Sequence, residues 1–178
     1  MKQVRPGVGR RKLRGPSNPR RSVPRQTDPY TSQRAITGPA ACDVCHAIFE
    51  KKRWRFDQTA YEDLMAAKRP KLTTCPACNK IRDRYPEGVL ALRWPGLSEH
   101  RRDVLGLLRK EETRAKKVNP LGRIMKIEET GKEWRVFTTS TKLAQRLGRE
   151  LERAYHGASH YHWAHHDKLV RVVWEREA

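Results

Sequence analysis

The stretches CDVCHAIFEKK, residues 42 to 52, and CPACNK, residues 75 to 80, together contain all four cysteines of the chain, as two C-x-x-C pairs. Zinc prefers four tetrahedral nitrogen or sulfur ligands, and each pair supplies two thiolates from one tight turn. The N-terminus has no apolar signal segment, so we expect a reducing compartment, where paired cysteines bind metal more often than they form disulfides. The pattern predicts one structural Zn²⁺ bound by Cys42, Cys45, Cys75 and Cys78.

A site with four cysteine ligands leaves no coordination position for water or substrate. The predicted zinc therefore contributes folding energy and not Lewis acidity. A redox dithiol is disfavoured, because it needs a single C-x-x-C in a βαβ setting. An iron–sulfur cluster remains open, since four thiolates also suit it. His46, next to Cys45, is expected to be a solvated residue and not a ligand.

The charge of the chain points to a polyanionic partner. Its 178 residues include 39 Lys and Arg against 20 Asp and Glu, a formal net charge of +19. Cations that neutralise phosphates release counterions, which favours nucleic-acid binding. The hydrophobic content of 37% predicts small modules and no single large core. No apolar run approaches the ~18 residues of a membrane span, so we expect no membrane partner.

Residues 1–38 are expected to form a disordered basic tail. They contain ten Lys or Arg residues, interleaved with Pro and Gly, and one acid, Asp28. Such a segment cannot bury enough apolar surface to fold alone, but it can order along nucleic-acid phosphates. The phosphate contacts are predicted at Arg10, Arg11, Lys12, Arg14, Arg20 and Arg21.

Residues 40–95 are predicted to form a zinc ribbon with a helical insertion and a following strand. The insertion DQTAYEDLMAAKRP is expected to enter a helix at Asp57 and to end before Pro70, and the strand spans residues 87–94. A linking helix over residues 96–118, with Ser98 as its N-cap, is expected to bridge to the next module or to lie on a partner. The first cysteine pair is followed by a basic strip that we predict contacts RNA, consisting of Lys51, Lys52, Arg53, Trp54 and Arg55.

Residues 119–178 are predicted to form a ββαββ module, which makes the chain an α+β protein. A hairpin turns around Gly131, a helix presents leucines at positions 143, 147 and 151 on one face and ends near Gly157, and a second hairpin follows. One helix covers one face of a four-stranded sheet, so the other face should be open.

Three basic residues lie on these strands in alternation with apolar residues: Lys126, Arg135 and Arg171. If their phases coincide, the open face offers cations for RNA, and His160 and His162 could join them. The register between strands cannot be read from the sequence. Tryptophans 134, 163 and 174 are expected at core or edge positions more often than as stacking platforms.

Enzymatic chemistry is not expected. The chain shows no paired carboxylates and no glycine-rich phosphate loop between a strand and a helix. The histidines at positions 160, 162, 165 and 166 could form a second metal site, but an exposed hairpin face explains them more simply. No small-molecule substrate is expected.

The segments CPACNKIRDRYPEGVLAL, NPLGRIMKIEE, TTSTKLAQRLGRELERAYHG and LVRVVW, within residues 40–178, resemble a bacterial family of zinc-ribbon proteins. That family is similar to part of the Nmd-type adaptor of archaea and eukaryotes, which binds the large ribosomal subunit. The resemblance implies that the four cysteines are zinc ligands and that the partner is the ribosome or ribosomal RNA. The chain departs from those adaptors in having only two C-x-x-C pairs, and we expect neither their further C-terminal domains nor an export role.

The sequence therefore predicts a cytoplasmic, non-enzymatic, zinc-stabilised RNA-binding protein that associates with ribosomes in subunit maturation, quality control or dormancy. The alternative is a DNA-binding regulator or nucleoid protein that uses the zinc ribbon. The helix RRDVLGLLRK could enter a groove, although it has no helix-turn-helix partner. An enzyme of unrecognised type is the third reading, and it depends on the histidines alone.

Overall fold

The computed structural model describes Tyr30 and residues 36–68, 70–131, 133–164 and 168–177, and these ranges form an α+β structure. The strands are β1 (Ala40–Ala41), β2 (Ile48–Glu50), β3 (Arg53–Arg55), β4 (Gly88–Arg93), β5 (Ile124–Thr130), β6 (Glu133–Thr138), β7 (Ala158–Trp163) and β8 (Val170–Glu175). The helices are α1 (Gln58–Met65), α2 (Pro76–Arg82), α3 (Arg101–Val118) and α4 (Thr141–Tyr155). The predicted phosphate contacts of the tail lie outside the described residues, namely Arg10, Arg11, Lys12, Arg14, Arg20 and Arg21.

The part of the chain that contains the cysteines is built on a small antiparallel sheet of three strands, in the order β1-β2-β3. Helix α1 follows β3 and is the insertion predicted from the sequence. Its N-cap is Asp57, whose side chain accepts a hydrogen bond of 2.9 Å from the backbone N–H of Ala60. This bond satisfies one of the backbone donors that a helix N-terminus leaves free. Helix α2 then begins at the second cysteine pair.

A second sheet has five strands, in the order β5-β6-β4-β8-β7. The predicted hairpins β5–β6 and β7–β8 are present, but β4 lies between them, antiparallel to β6 and parallel to β8. From the sequence we placed β4 at the end of the zinc ribbon; the structure places it at the centre of the C-terminal sheet. Its pattern suits that position, because Leu90 and Leu92 are fully buried and Val89 and Ala91, on the other face, are half-buried.

Helix α4 covers one face of this sheet. Leu143, Leu147 and Leu151 are buried against the strands, as the helical periodicity predicts. The helix approaches the sheet closely at Gly148, where a Cβ atom would lie 2.8 Å from Cγ1 of Val172. Helix α3 packs beside α4 and adds Val104 to the same core. Within the described ranges, no helix is long and apolar enough to cross a membrane.

The N-cap position of helix α3 is His100, two residues after Ser98, the N-cap expected from the sequence. A 3₁₀ turn over Pro95–Leu97 buries Leu97, and Ser98 follows it in helical conformation with φ −67°. The residue preceding α3 is His100, whose ring stacks on Trp94 with 4.7 Å between ring centroids and which makes no side-chain capping bond. Packing of Trp94 and Leu97 therefore sets the start of the helix, and a capping hydroxyl does not.

Helix α3 is part of the C-terminal unit rather than a free linker. Its buried Glu111 accepts hydrogen bonds of 2.6 Å from Arg114 and 2.8 Å from Arg146 of α4. On the next residue, Oε1 of Glu112 accepts a 3.0 Å hydrogen bond from the backbone N–H of Ile124, at the start of β5. These contacts hold α3 against both the neighbouring helix and the sheet.

Candidate metal centre and nucleic-acid interface

The four cysteine Sγ atoms lie within 4.8 Å of one another. The Sγ atoms of Cys42 and Cys78 are 3.8 Å apart, and those of Cys45 and Cys75 are 3.7 Å apart. A tetrahedron with Zn–S bonds of about 2.3 Å has S–S edges of about 3.8 Å. The spacing of the thiols therefore fits one zinc ion with four sulfur ligands and confirms the predicted structural site.

The two cysteine pairs reach the site from different local structures. Cys42 and Cys45 lie in the turn between β1 and β2, where the N–H of Cys42 donates to the carbonyl of Ala47 at 2.8 Å. Cys75 is the N-cap of α2, and its Sγ accepts a 3.5 Å hydrogen bond from the N–H of Cys78. The N-terminal end of a helix carries partial positive charge, which favours thiolates at Cys75 and Cys78.

Arg123 completes the surroundings of the metal site, and the sequence did not point to it. This side chain is only 8% exposed; its Nη2 lies 2.8 Å from Sγ of Cys45 and its Nη1 lies 3.4 Å from Sγ of Cys78. Its Nε donates a 2.8 Å hydrogen bond to the carbonyl of Pro120, which fixes the guanidinium in place. Zinc with four thiolates carries a net charge of −2, so a buried guanidinium offsets part of it.

The thiols differ in their readiness to ionise. Hydrogen bonds from Cys75 and Arg123 lower the pKa of Cys45 to about 4, although burial opposes this. The bond to Cys45 and burial raise the pKa of Cys75, and burial raises that of Cys78 to about 11. Because zinc binds thiolates, metal binding displaces the protons that these two thiols otherwise keep.

The histidines show no second metal site in the described part of the chain, where the four cysteines are the one group of three or more metal-binding side chains close enough to share an ion. The ring of His46 stacks on Tyr61 with centroids 4.6 Å apart and is not a ligand. His160 and His162 lie exposed on β7. His165 and His166 lie outside the described residues.

The basic strip after the first cysteine pair occupies the hairpin β2–β3. Lys51 and Lys52 form its exposed turn, with φ values of 50° and 62°. Arg53 is exposed, whereas Arg55 is paired with Glu50 at 2.7 Å and with Asp57 at 3.1 Å. Trp54 is half-buried, packs against the cysteine cluster and contacts Phe49 at 5.3 Å between ring centroids. Lys51, Lys52 and Arg53 are thus the cations of the strip for which the described residues show no ion pair.

The register of the five-stranded sheet places the three predicted sheet cations on one face, the one opposite α4. Cross-strand partners share a face. One row across the sheet consists of Lys126, Phe137, Val89, Arg171 and His162, and the next consists of Glu128, Arg135, Ala91, Val173 and His160. Phe137 was not singled out from the sequence, although its position two residues after Arg135 puts it on the same face.

Carboxylates balance much of the charge on this open face. Lys126 pairs with Glu128 at 2.7 Å, and Arg135 pairs with Glu133 at 3.0 Å. No ion pair of Arg171 is found among the described residues. A cavity of about 450 Å³ borders the face, lined by Met125, Lys126 and Phe137 of the sheet, by Ile81 of α2 and by Arg84, which follows that helix.

Comparison with models of protein families, with curated proteins and with solved structures finds no match for this chain. The residues of the site define a four-cysteine zinc centre with a buried arginine beside it, in a basic α+β protein.

Proposed function

We propose that the chain is a non-enzymatic, zinc-stabilised RNA-binding protein that acts in the cytoplasm in association with the ribosome. The observation that carries the proposal is the row on the open sheet face in which Phe137 is flanked by Lys126 on one side and by Arg171 and His162 beyond Val89. Sheets that bind single-stranded RNA use an aromatic ring to stack a base and neighbouring cations to hold its phosphates.

The charge of the whole chain supports a nucleic-acid partner. Lys126 and Arg135 are partly neutralised by carboxylates, so the sheet face alone provides modest electrostatic attraction. The net charge of +19 means that most of the attraction comes from other cations, including those of the predicted tail and the Lys51–Lys52 turn. The sheet face would then supply base contacts, and the remaining cations would supply affinity.

Ribosomal association follows from the resemblance of residues 40–178 to the zinc-ribbon family and is part of the proposal. The zinc centre has a structural role in it: the metal holds the β2–β3 hairpin and α2 in place, while the contacts to RNA are made by side chains. The role in maturation, quality control or dormancy depends on which ribosomal particle binds.

Binding to single-stranded RNA tests the sheet face directly. Fluorescence anisotropy with a labelled 12-nucleotide RNA should show that Phe137→Leu weakens binding about tenfold, since stacking of one base contributes ~1–3 kcal/mol. The triple change of Lys126, Arg135 and Arg171 to Glu should abolish it. A control with Lys68, Lys142 and Lys168 changed to Glu has the same net charge and should retain most of the affinity. Equal loss in both triple variants would contradict a specific role of the face.

Sedimentation of a lysate through a sucrose gradient tests ribosomal association. Co-migration with one ribosomal subunit that persists above ~0.3 M salt supports the proposal. Diffuse association with any nucleic acid, lost as salt rises, would instead favour the DNA-binding alternative, because non-specific phosphate contacts weaken steeply with salt.

A further inference from the structure

The outer side of α3 carries four exposed cations that have no carboxylate partner in the part of the chain that the structure describes. We call this side of the helix the α3 ridge. It consists of the exposed residues Arg102, Gly106, Arg109, Lys110, Thr113 and Lys117. Their spacing places them on one side of the helix, opposite the buried Val104, Leu108 and Glu111. The ridge therefore faces away from the core and from the open sheet face.

The ridge differs from the rest of α3 in its charge balance. Three other cations of the helix, Arg101, Arg114 and Lys116, are each paired with a carboxylate at 2.6–2.9 Å. No such pair is found for the four ridge cations within the described residues; the exposed acid nearest to them on α3 is Asp103, at the edge of the ridge. An unneutralised row of cations repels itself along a helix, so its charge complements an anion brought from outside.

Gly106 lies within the ridge, and no packing contact within the described ranges requires a glycine there. A glycine in a helix interior costs about 1 kcal/mol relative to alanine. A Cβ atom built there meets nothing within 4 Å, unlike the one at Gly148, so packing does not explain it. The neighbours of this bare backbone position on the helix surface are three cations and one acid, namely Arg102, Arg109, Lys110 and Asp103. The absence of a side chain leaves room for an external group to approach the helix closely.

The ridge can hold phosphates but has no ring on which an unpaired base could stack. It contains no aromatic ring, and the hydroxyl of Thr113 donates to the carbonyl of Arg109 at 2.9 Å. From Arg102 to Lys117 it extends about 22 Å at ~1.5 Å per residue, long enough to follow several successive phosphates. These are the properties of a contact to the backbone of a duplex, where bases are stacked away inside.

We propose that the α3 ridge binds the sugar–phosphate backbone of double-stranded RNA, so that the protein contacts a duplex through α3 and a single strand through the opposite sheet face. The inference rests on the proposed RNA-binding function and extends it to a second surface. A protein with both surfaces recognises a junction between paired and unpaired RNA.

The test compares two variants of equal net charge in the zinc-loaded, full-length chain. The ridge variant has Arg102, Arg109, Lys110 and Lys117 changed to Gln, and the control has Lys68, Lys142, Arg149 and Lys168 changed to Gln. Affinity for a labelled 20-base-pair RNA duplex is measured over a range of salt concentrations. The ridge variant should bind more than about tenfold more weakly, and the slope of log K against log salt should fall by about 3, at ~0.7–0.9 per lost phosphate contact.

A further variant, Gly106→Trp, keeps all four cations but fills the gap. It should weaken duplex binding while leaving the circular dichroism spectrum and single-stranded RNA binding unchanged. Equal affinity of the ridge and control variants for the duplex would overturn the inference, as would tighter binding of the unaltered chain to a DNA duplex or to vesicles of anionic lipid. If the unaltered chain binds neither duplex nor single-stranded RNA, the proposed function itself is overturned.

Discussion

Nη2 of Arg123 lies 2.8 Å from Sγ of Cys45, although 78 positions separate the two residues in the chain. Arg123 immediately precedes β5 of the C-terminal sheet, and Cys45 belongs to the first cysteine pair. The same guanidinium lies over the ring of Phe56, with 5.6 Å to the ring centroid. The buried side chain of Arg123 therefore joins the metal centre to the five-stranded sheet.

Replacing Arg123 with Met should weaken zinc binding, because the thiolates lose both a hydrogen-bond donor and a compensating positive charge. Removal of such outer partners typically lowers metal affinity 10–100-fold. Competition with a chromogenic chelator measures the change. Arg135→Met, which removes an exposed arginine of the open face, should leave the affinity unchanged. An equal affinity in Arg123→Met would show that the guanidinium does not act on the metal.

Removing the metal should destabilise the two units unequally. The buried residues around the cysteines form one cluster, and Leu90, Val136 and Val172 belong to another on the sheet. After chelation, or in Cys75→Ser, hydrogen exchange should become fast in β1–β3 and α2 while β4, β6 and β8 remain protected, since structural zinc supplies the folding energy of small sites. Simultaneous loss of protection in the sheet would show that both units unfold together.

The two helical glycines at positions 106 and 148 should respond in opposite directions to alanine. Gly106→Ala should raise the free energy of unfolding by about 0.5–1 kcal/mol, because the new methyl group meets nothing and helix propensity improves. Gly148→Ala should lower it by about 1–3 kcal/mol, because its Cβ would lie 2.8 Å from Cγ1 of Val172. Urea denaturation of both variants checks the signs, and a stabilised Gly148→Ala would contradict the close approach of α4 to β8.

Glu111→Gln should loosen the contact between α3 and α4. The Glu111 carboxylate is 3% exposed and pairs with Arg114 of α3 at 2.6 Å and with Arg146 of α4 at 2.8 Å. Each of the two helices therefore supplies one positive charge that balances the carboxylate. We expect a loss of about 1–3 kcal/mol in the free energy of unfolding. Glu62→Gln, an exposed change on α1, serves as the control and should have little effect. Equal stability of the two variants would mean that the α3–α4 contact is apolar in origin.

The cysteines and the local elements were predictable from the sequence because their signals are local. Two C-x-x-C pairs identify a metal site however many residues separate the pairs. The leucine spacing of α4 and the glycine turn at position 131 can each be recognised within a few residues. The position of β4 was not predictable, because its apolar alternation says that it is a strand but not which strands accept it. Arg123 was missed for the same reason: its partners are sulfur atoms brought to it by folding.

The start of α3 shows a different limit. Ser98 is a good N-cap by residue type, but burial of Leu97 and stacking of His100 on Trp94 delay the helix. The shared sheet face of Lys126, Arg135 and Arg171 was only partly predictable from the sequence. Alternation made it a reasonable hypothesis, and only the cross-strand register could confirm it.

The central position of β4 has a consequence for how the chain is made. During synthesis, the four cysteines and β4 are made before the other four strands of the five-stranded sheet, and the parallel partner β8 is made last of the five. The apolar side chains of β4 therefore remain without both neighbouring strands until β6 and then β8 have been made. The metal-bound unit immediately before β4 can fold first. It then provides a structured segment next to which the sheet is completed.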